Sequence, residues 1–469
     1  MFGGKKLIVY ELNEVPLKVF QWFGSRYPDS TIAHLLDQGT VVETYAADEG
    51  HLSPWVTWPT VHRGVTNALH HIYDFGQDLR GVNSAYPPIW DLIARSGHKV
   101  GVFGSLHSYP LPPNLDNYLF YVPDTFAAGT ECFPQKFSAF QQFNLRMVDR
   151  SGRNVSGGVP VGTAAKFLLA APALGLRGVT VAKLARQLTA EIGNPARVVR
   201  RRTSQAQIAF DFFMSELKRT RPDYSTFFTN HVASAMHRYW PALFPEDYKA
   251  PHWNDSWRMQ WADEIPFAMR EADAQLHRLR QFVSQHSEFA LVILTSMGQA
   301  AQEEQERVET QLNFFDIQRF MRVLGFTGND WQRERAMAPL YMVRVRPGLV
   351  NQFSSRSQQV TINGVPLSAV SRGEGVFRIE LGQYNLQSDA IELKIDGRTV
   401  PLSEAGMVNL RIQDEAGSNA YHIPEGVLIA YSPNGRAQIA ERLSTVQIAP
   451  ALLANFRVPS PDYMAGFPN

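Results

Sequence analysis

Over its first hundred residues the chain alternates short apolar runs with stretches whose apolar positions recur every three to four residues. Leu7-Ile8-Val9-Tyr10 reads as a strand, Leu17 to Leu36 as helical and Val41 to Tyr45 as a strand. Pro88 to Arg95 reads as a helix, and Lys99 to Phe103 as a strand after the turn at Gly97. Strands separated by helices of this length predict parallel βαβ units, hence an α/β fold with a mostly parallel central sheet flanked by helices.

From Glu131 to Arg221 helix formers and Arg dominate, with Arg200-Arg201-Arg202 ahead of Ile208, Phe210, Phe212, Phe213 and Leu217. This predicts a helical insertion lying over the sheet, with the basic triplet on a solvated face. Ser225 to Phe228 then reads as a strand, Arg270 to Val283 as a helix, and the unbroken apolar run Phe289 to Thr295 as a buried central strand. Beyond Pro347 the period changes to two, in segments 359–364, 376–381 and 391–397, the first and last ending in Asn363-Gly364 and Asp396-Gly397. These predict a small β-rich insertion. The parallel pattern is expected to return at Val427 to Ala430 and to finish with a helix from Ile448 to Asn455. The chain thus divides into core segments 1–130, 222–347 and 419–469, a helical insertion at 131–221 and a β-rich insertion at 348–418.

Composition narrows the partners. The chain has 469 residues and a net charge of +1, so no long-range field gathers nucleic acid, and none is expected as a partner. The single Cys132 excludes a disulfide scaffold or a thiolate metal cluster, leaving His, Asp, Glu, Ser and Thr to carry chemistry. The N-terminal apolar run is too short for a signal segment, which makes the cytoplasm the default location. Val161 to Ala182 is apolar but interrupted by Lys166, Pro172 and Arg177, short of the roughly 18–20 residues a transmembrane span needs. It reads as a helical hairpin, buried or lying on the surface, and leaves a weak membrane-surface contact open. The sequence does not set the oligomeric state.

Four segments fall just past strand ends, where α/β sheets carry their functional loops. Glu11-Leu12-Asn13-Glu14 follows the first strand. Ser53-Pro54 is an N-cap and N1 pair opening Trp55-Val56-Thr57-Trp58-Pro59-Thr60-Val61-His62-Arg63-Gly64, so a hydroxyl here sits at the positive end of a helix and suits an anion or a nucleophile. A plain N-cap in an aromatic-rich loop is the other reading. Asn230-His231 and His237-Arg238 lie after a later strand, and two His six apart do not share a helix face, so core or surface His is the plainer assignment. His422 precedes the last strands, in a segment that a structural role also explains.

As an ordered set these segments resemble the alkaline phosphatase superfamily, in its type I phosphodiesterase/nucleotide pyrophosphatase-like branch. Gly64, His70 and Ile72 are similar in spacing to that branch's Thr-Gly-x-x-Pro-x-x-His-Gly-Ile pattern. Pro88 to Val102, Ala272-Asp273 with Leu276, and His422 with Glu425-Gly426-Val427 through Val458-Pro459 resemble the segments that follow. The resemblance implies an α/β core acting on a phosphate ester, phosphodiester or nucleotide-type small molecule, by hydrolysis or by transfer of a phosphoryl, sulfuryl or sugar group. It makes Ser53 to Thr60 the nucleophile loop, with Thr57 preferred and Ser53 open. Asn13, or less favourably Glu11, falls at the first metal-binding Asp, Asn230 or His231 near the next, and His237 and His422 at metal-binding His positions.

The departures imply a depleted metal centre. Where the family has Ser-Asp-His-Gly, this chain has Thr295-Ser296-Met297-Gly298-Gln299, which removes two ligands, and Asn13 offers a neutral amide in place of a carboxylate. What remains is one divalent ion, zinc or similar, on His237, His422, His231 and Glu11, or a metal-free anion pocket. Asn13, Trp58, His62, Arg63, Asn230, Arg238 and Ser296 are the candidates to touch substrate. A degenerate member that binds a phosphorylated or nucleotide-sugar ligand without turnover, or serves in assembly, is the alternative.

Overall fold

The computed structural model describes residues 3–464 apart from 75–76, 150–166, 168–170, 250–252, 303–309, 335, 337–339, 388–390, 412–418 and 440–441. It forms two compact units, one from 1–144, 160–305 and 418–469, the other from 145–159 and 306–417. Of the hairpin expected over Val161 to Ala182, residues 161–166 and 168–170 lie outside the described residues.

The first unit is built on an eight-stranded sheet. Its strands are β1 (Lys6–Leu12), β2 (Thr40–Tyr45), β3 (Val100–Phe103), β4 (Tyr118–Val122), β5 (Tyr224–Thr229), β6 (Phe289–Leu294), β7 (Glu425–Tyr431) and β8 (Arg442–Ser444). They lie in the order β8-β2-β7-β6-β1-β5-β3-β4. β1 pairs in parallel with both β5 and β6, and its apolar run is buried on both faces, as such a position requires. Leu7 and Val9 face one layer with Trp58, Val61, Trp90 and Ile448. Tyr10 faces the other, stacking on Phe227 and donating its hydroxyl to Gln275. The α/β architecture with a mostly parallel sheet is the one the pattern predicts.

Two local expectations need correction. Leu17 to Leu36 is not one helix: helices Leu17–Arg26 and Thr31–Gln38 are separated around Pro28, and the Ser30 side chain caps the second by accepting from the Ala33 amide. β7, expected in the parallel set, runs antiparallel to both β6 and β2. An apolar run records burial on two faces, not direction. The reversal matters for the site, because β7 enters the sheet at the edge where β1, β5 and β6 leave it.

The second unit carries two four-stranded antiparallel sheets around Phe320, Phe353, Phe377 and Leu393. Asn363-Gly364 and Asp396-Gly397 close hairpins with positive φ at both positions, as such two-residue turns require. Residues 310–334 and 340–345, read from sequence with the core, pack here.

Candidate metal centre

Because β1, β5 and β6 are parallel neighbours, the segments after them, Asn13-Glu14, Asn230-His231 and Thr295 to Gln299, emerge at one sheet edge. The antiparallel β7 starts at that edge, and the short strand Ala420–Ile423 ahead of it pairs with Gly298–Ala301. Gly298 is required there, since a Cβ would stand 2.4 Å from the Glu425 carbonyl oxygen. The helix His231–Leu243 follows β5 and brings His237 to the same place.

Glu14, His237 and His422 offer ligand atoms that all lie within 4.8 Å of one another. His237 Nε2 is 2.9 Å and His422 Nε2 3.4 Å from the same oxygen, Glu14 Oε2. His237 Nδ1 donates to the Ala420 carbonyl at 2.7 Å, and His422 Nδ1 to the Leu52 carbonyl at 2.8 Å. A carbonyl only accepts, so the proton of each neutral ring is on Nδ1 and its Nε2 lone pair faces the carboxylate. Two lone pairs and an anionic oxygen repel unless protons or a cation stand between them. The donor set, a carboxylate and two imidazoles each pinned through its far nitrogen, fits a zinc-class divalent ion.

The electrostatics agree. Burial alone would raise the Glu14 carboxyl, but His422 and His237 hold it well below the ordinary carboxylate range. For His422 burial acts downward, and Glu14 overrides it and raises the ring. Asn13 donates to Glu14 Oε1 at 2.6 Å and to Asn230 Oδ1 at 2.8 Å, and accepts from Trp58 Nε1 at 2.7 Å. The Gln299 amide donates to Glu14 Oε2. Glu14 has φ of 61°, a left-handed conformation costly for a side-chain-bearing residue, which these bonds hold in place.

Of the four metal candidates read from sequence, the structure brings together His237 and His422. Glu11 instead pairs with His62 at 2.8 Å, both buried, on the sheet face that carries Leu7 and Val9. His231 turns away to bond Thr229 Oγ1 at 2.8 Å and the Ala268 carbonyl at 3.1 Å. The carboxylate at the centre, Glu14, was overlooked beside Asn13, as was Gln299. An acidic residue directly past the first strand was the available signal.

The remaining candidates are distributed around this centre. Thr57, in the helix Pro54–Arg63, is fully buried, its hydroxyl 2.8 Å from Ser296 Oγ and donating to the Ser53 carbonyl at 3.2 Å. Ser53 adjoins Leu52, whose carbonyl holds His422, and its side chain leaves the helix uncapped. Asn13 links Trp58, from which it accepts, to Asn230, to which it donates. Arg63 is buried at the far end of the helix and donates to Asn83. Arg238 bonds back to Ser234.

The histidines outside the centre make a test of their own. Burial pushes His231 down to about 4, and burial together with Arg63 pushes His70 and His107 down to about 3. These rings are neutral in the fold, whereas the unfolded chain protonates them below about 6.5. Each therefore removes about 1.4 kcal/mol of stability per pH unit on acidification below that value. Burial raises Asp48 and Asp124 to about 6, which opposes the loss, but three rings outweigh two carboxyls. Urea unfolding is expected to show lower stability at pH 5 than at pH 7, with His107→Gln flattening the slope. A flat or rising profile for the unmodified chain would contradict the neutral assignment.

No family model matches the chain, and neither does any curated protein. Among solved structures it is similar to murine ectonucleotide pyrophosphatase/phosphodiesterase 5, at 10% identity and a TM-score of 0.41, over 99% of this chain and 98% of that one. It is also similar to phosphonoacetate hydrolase from Sinorhizobium meliloti 1021 in complex with phosphonoacetate, at 10% identity and 0.41, over 97% and 96%.

Proposed function

We propose that this chain holds one divalent ion on Glu14, His237 and His422 and acts there on a phosphate ester, phosphodiester or nucleotide-type substrate. The observation that carries this is the convergence of two imidazole Nε2 atoms, each with its Nδ1–H fixed by a backbone carbonyl, on one carboxylate oxygen. A bound ion supplies charge neutralisation and Lewis-acid polarisation of a phosphoryl oxygen. The chain's own residues do the rest. Asn13 and Gln299 fix the Glu14 carboxylate by donating to its two oxygens, and Trp58 fixes Asn13. The helix beginning at Pro54 presents the positive end of its dipole next to the Leu52 carbonyl that holds His422, where an anionic group is favoured.

Thr57 is the nucleophile on this reading, with Ser53 the other candidate. Thr57→Val keeps the shape and removes the hydroxyl. With an aryl phosphodiester and added zinc or manganese, it is expected to lower turnover at least about a hundredfold while leaving metal content unchanged, and Ser53→Ala is expected to cost far less. Absence of metal-dependent turnover, or turnover indifferent to both substitutions, defeats the enzymatic reading.

A second reading is that the chain binds a phosphorylated or nucleotide-sugar ligand, or serves in assembly, without turnover. Thr57 itself favours it: the hydroxyl is buried, and its hydrogen-bond partners among the described residues are a hydroxyl and a backbone carbonyl, neither of which is a base. A rise in thermal midpoint with nucleotides or sugar nucleotides, without product, would select it.

A further inference from the structure

The helix Gly178–Gly193 turns a stripe of apolar side chains to solvent. Val181, Ala185, Leu188 and Ile192 recur at i, i+4, i+7 and i+11, which places them on one side of the helix, and all four are exposed. Leu188 is 54% and Ile192 85% exposed, far more than a monomer's scattered surface hydrophobics need to be when they share one line. The opposite side is anchored: Thr180 donates to the buried Asp211, which also pairs with Arg278, and Lys183 pairs with Glu271. The stripe therefore belongs to a fixed helix and not to a loose end.

Its surroundings are cationic. Residues 177–202 contain seven Lys and Arg against one acid, Glu191, a net +6 in a chain whose total is +1. Glu191 is buried and paired with Arg201, and Arg200 is taken up by Asp263 and Glu264. Arg177, Arg186 and Arg197 are exposed and make no ion pair among the described residues. An exposed apolar line on a one-sidedly anchored helix, with exposed arginines within the helix and beyond both its ends, is the arrangement of an interfacial amphipathic helix. Among the described residues no helix is long and apolar enough to cross a bilayer, so the contact is one that lies along a surface.

We infer that the helix Gly178–Gly193 docks the protein on an anionic lipid surface, with Val181, Leu188 and Ile192 entering the headgroup layer and Arg177, Arg186 and Arg197 meeting lipid phosphates. The occupant is a lipid surface because the apolar stripe and the excess positive charge are carried by the same segment, and each answers to a different part of the same anionic bilayer. The inference is independent of the metal centre.

Co-sedimentation of the full chain with vesicles of phosphatidylglycerol and phosphatidylcholine tests it, against vesicles of phosphatidylcholine alone. Binding is expected on the anionic vesicles and to fall with salt. Leu188→Glu with Ile192→Glu is expected to weaken it at least about tenfold, and Arg186→Glu with Arg197→Glu by about fivefold or more for each charge reversed. Melting of each variant is expected to match the unmodified chain, since all four side chains are exposed. Three results would overturn the inference: no binding to either vesicle, a concentration-dependent dimer that the Leu188/Ile192 variant abolishes, or a large drop in that variant's thermal midpoint, which would mean that the chain itself covers the stripe.

Discussion

Purified from cells, the chain is expected to carry about one divalent transition-metal ion, and Glu14→Gln is expected to lose it. Glutamine keeps the size and hydrogen-bonding reach of the side chain while removing the charge, and a neutral amide is a poor ligand for such an ion. With His237→Ala and His422→Ala it should lower affinity by more than the 10–100-fold typical of removing a supporting partner. Because the three ligands come from the end of β1, from the helix after β5 and from the strand before β7, the ion ties separate segments together. At a thousandfold excess over its dissociation constant it should stabilise the fold by about 4 kcal/mol. Metal analysis, chelator titration and a thermal midpoint with and without zinc measure this. Uptake should also release protons, since Glu14 raises the proton affinity of His422 that a metal must displace. A chain that neither contains nor gains metal at micromolar zinc, and whose midpoint does not move, would end the proposal.

The second large effect is expected at Trp58. It is fully buried, stacked on His62 with ring centroids 5.4 Å apart and set edge-on to Phe228 at 5.7 Å. Trp58→Ala should cost about 3–5 kcal/mol in urea unfolding through the cavity it leaves. It also strips the buried Asn13 Oδ1 of its donor, worth about 1–3 kcal/mol more. Trp58→Phe separates the two contributions, keeping a ring and losing the indole N–H. It should destabilise by about 1–3 kcal/mol and weaken metal binding about tenfold or more, because Asn13 then no longer holds Glu14 in one orientation. If Trp58→Phe binds metal as the unmodified chain does, Trp58 only packs the core and does not position the site.

Much of this was legible in the chain itself. Leu7 to Tyr10 and Phe289 to Leu294 are apolar without interruption because they lie at the centre of a sheet covered on both faces, and that run is unmistakable in sequence. Asn363-Gly364 and Asp396-Gly397 mark hairpins because few other pairs accept two positive φ values. His237 and His422 were reached through motif order, which reflects the succession of loops at one sheet edge. His231 was less readable. Nothing local says whether an imidazole two residues past β5 faces the sheet edge or, as it does, the Ala268 carbonyl.

Glu11 and Glu14 show the division most clearly. By strand alternation Glu11 shares the face of Leu7 and Val9, and that face is closed by the helix Pro54–Arg63, so it meets His62. Glu14 reaches the histidines only because the backbone turns left-handed there, a conformation that the adjacent Asn13 maintains together with Trp58 and Gln299 from two distant segments. The sequence by itself determined the fold class, the central strands β1, β2, β3, β5, β6 and β7, the two hairpin turns and the oxygen and imidazole chemistry on offer, since these follow from local periodicity and residue type. Only the tertiary structure decided the direction of β7, the choice of Glu14 over Glu11 and Asn13, and the exclusion of His231. Each of those depends on which groups separated by up to four hundred residues compete for the same partner, and residue spacing carries no record of that competition.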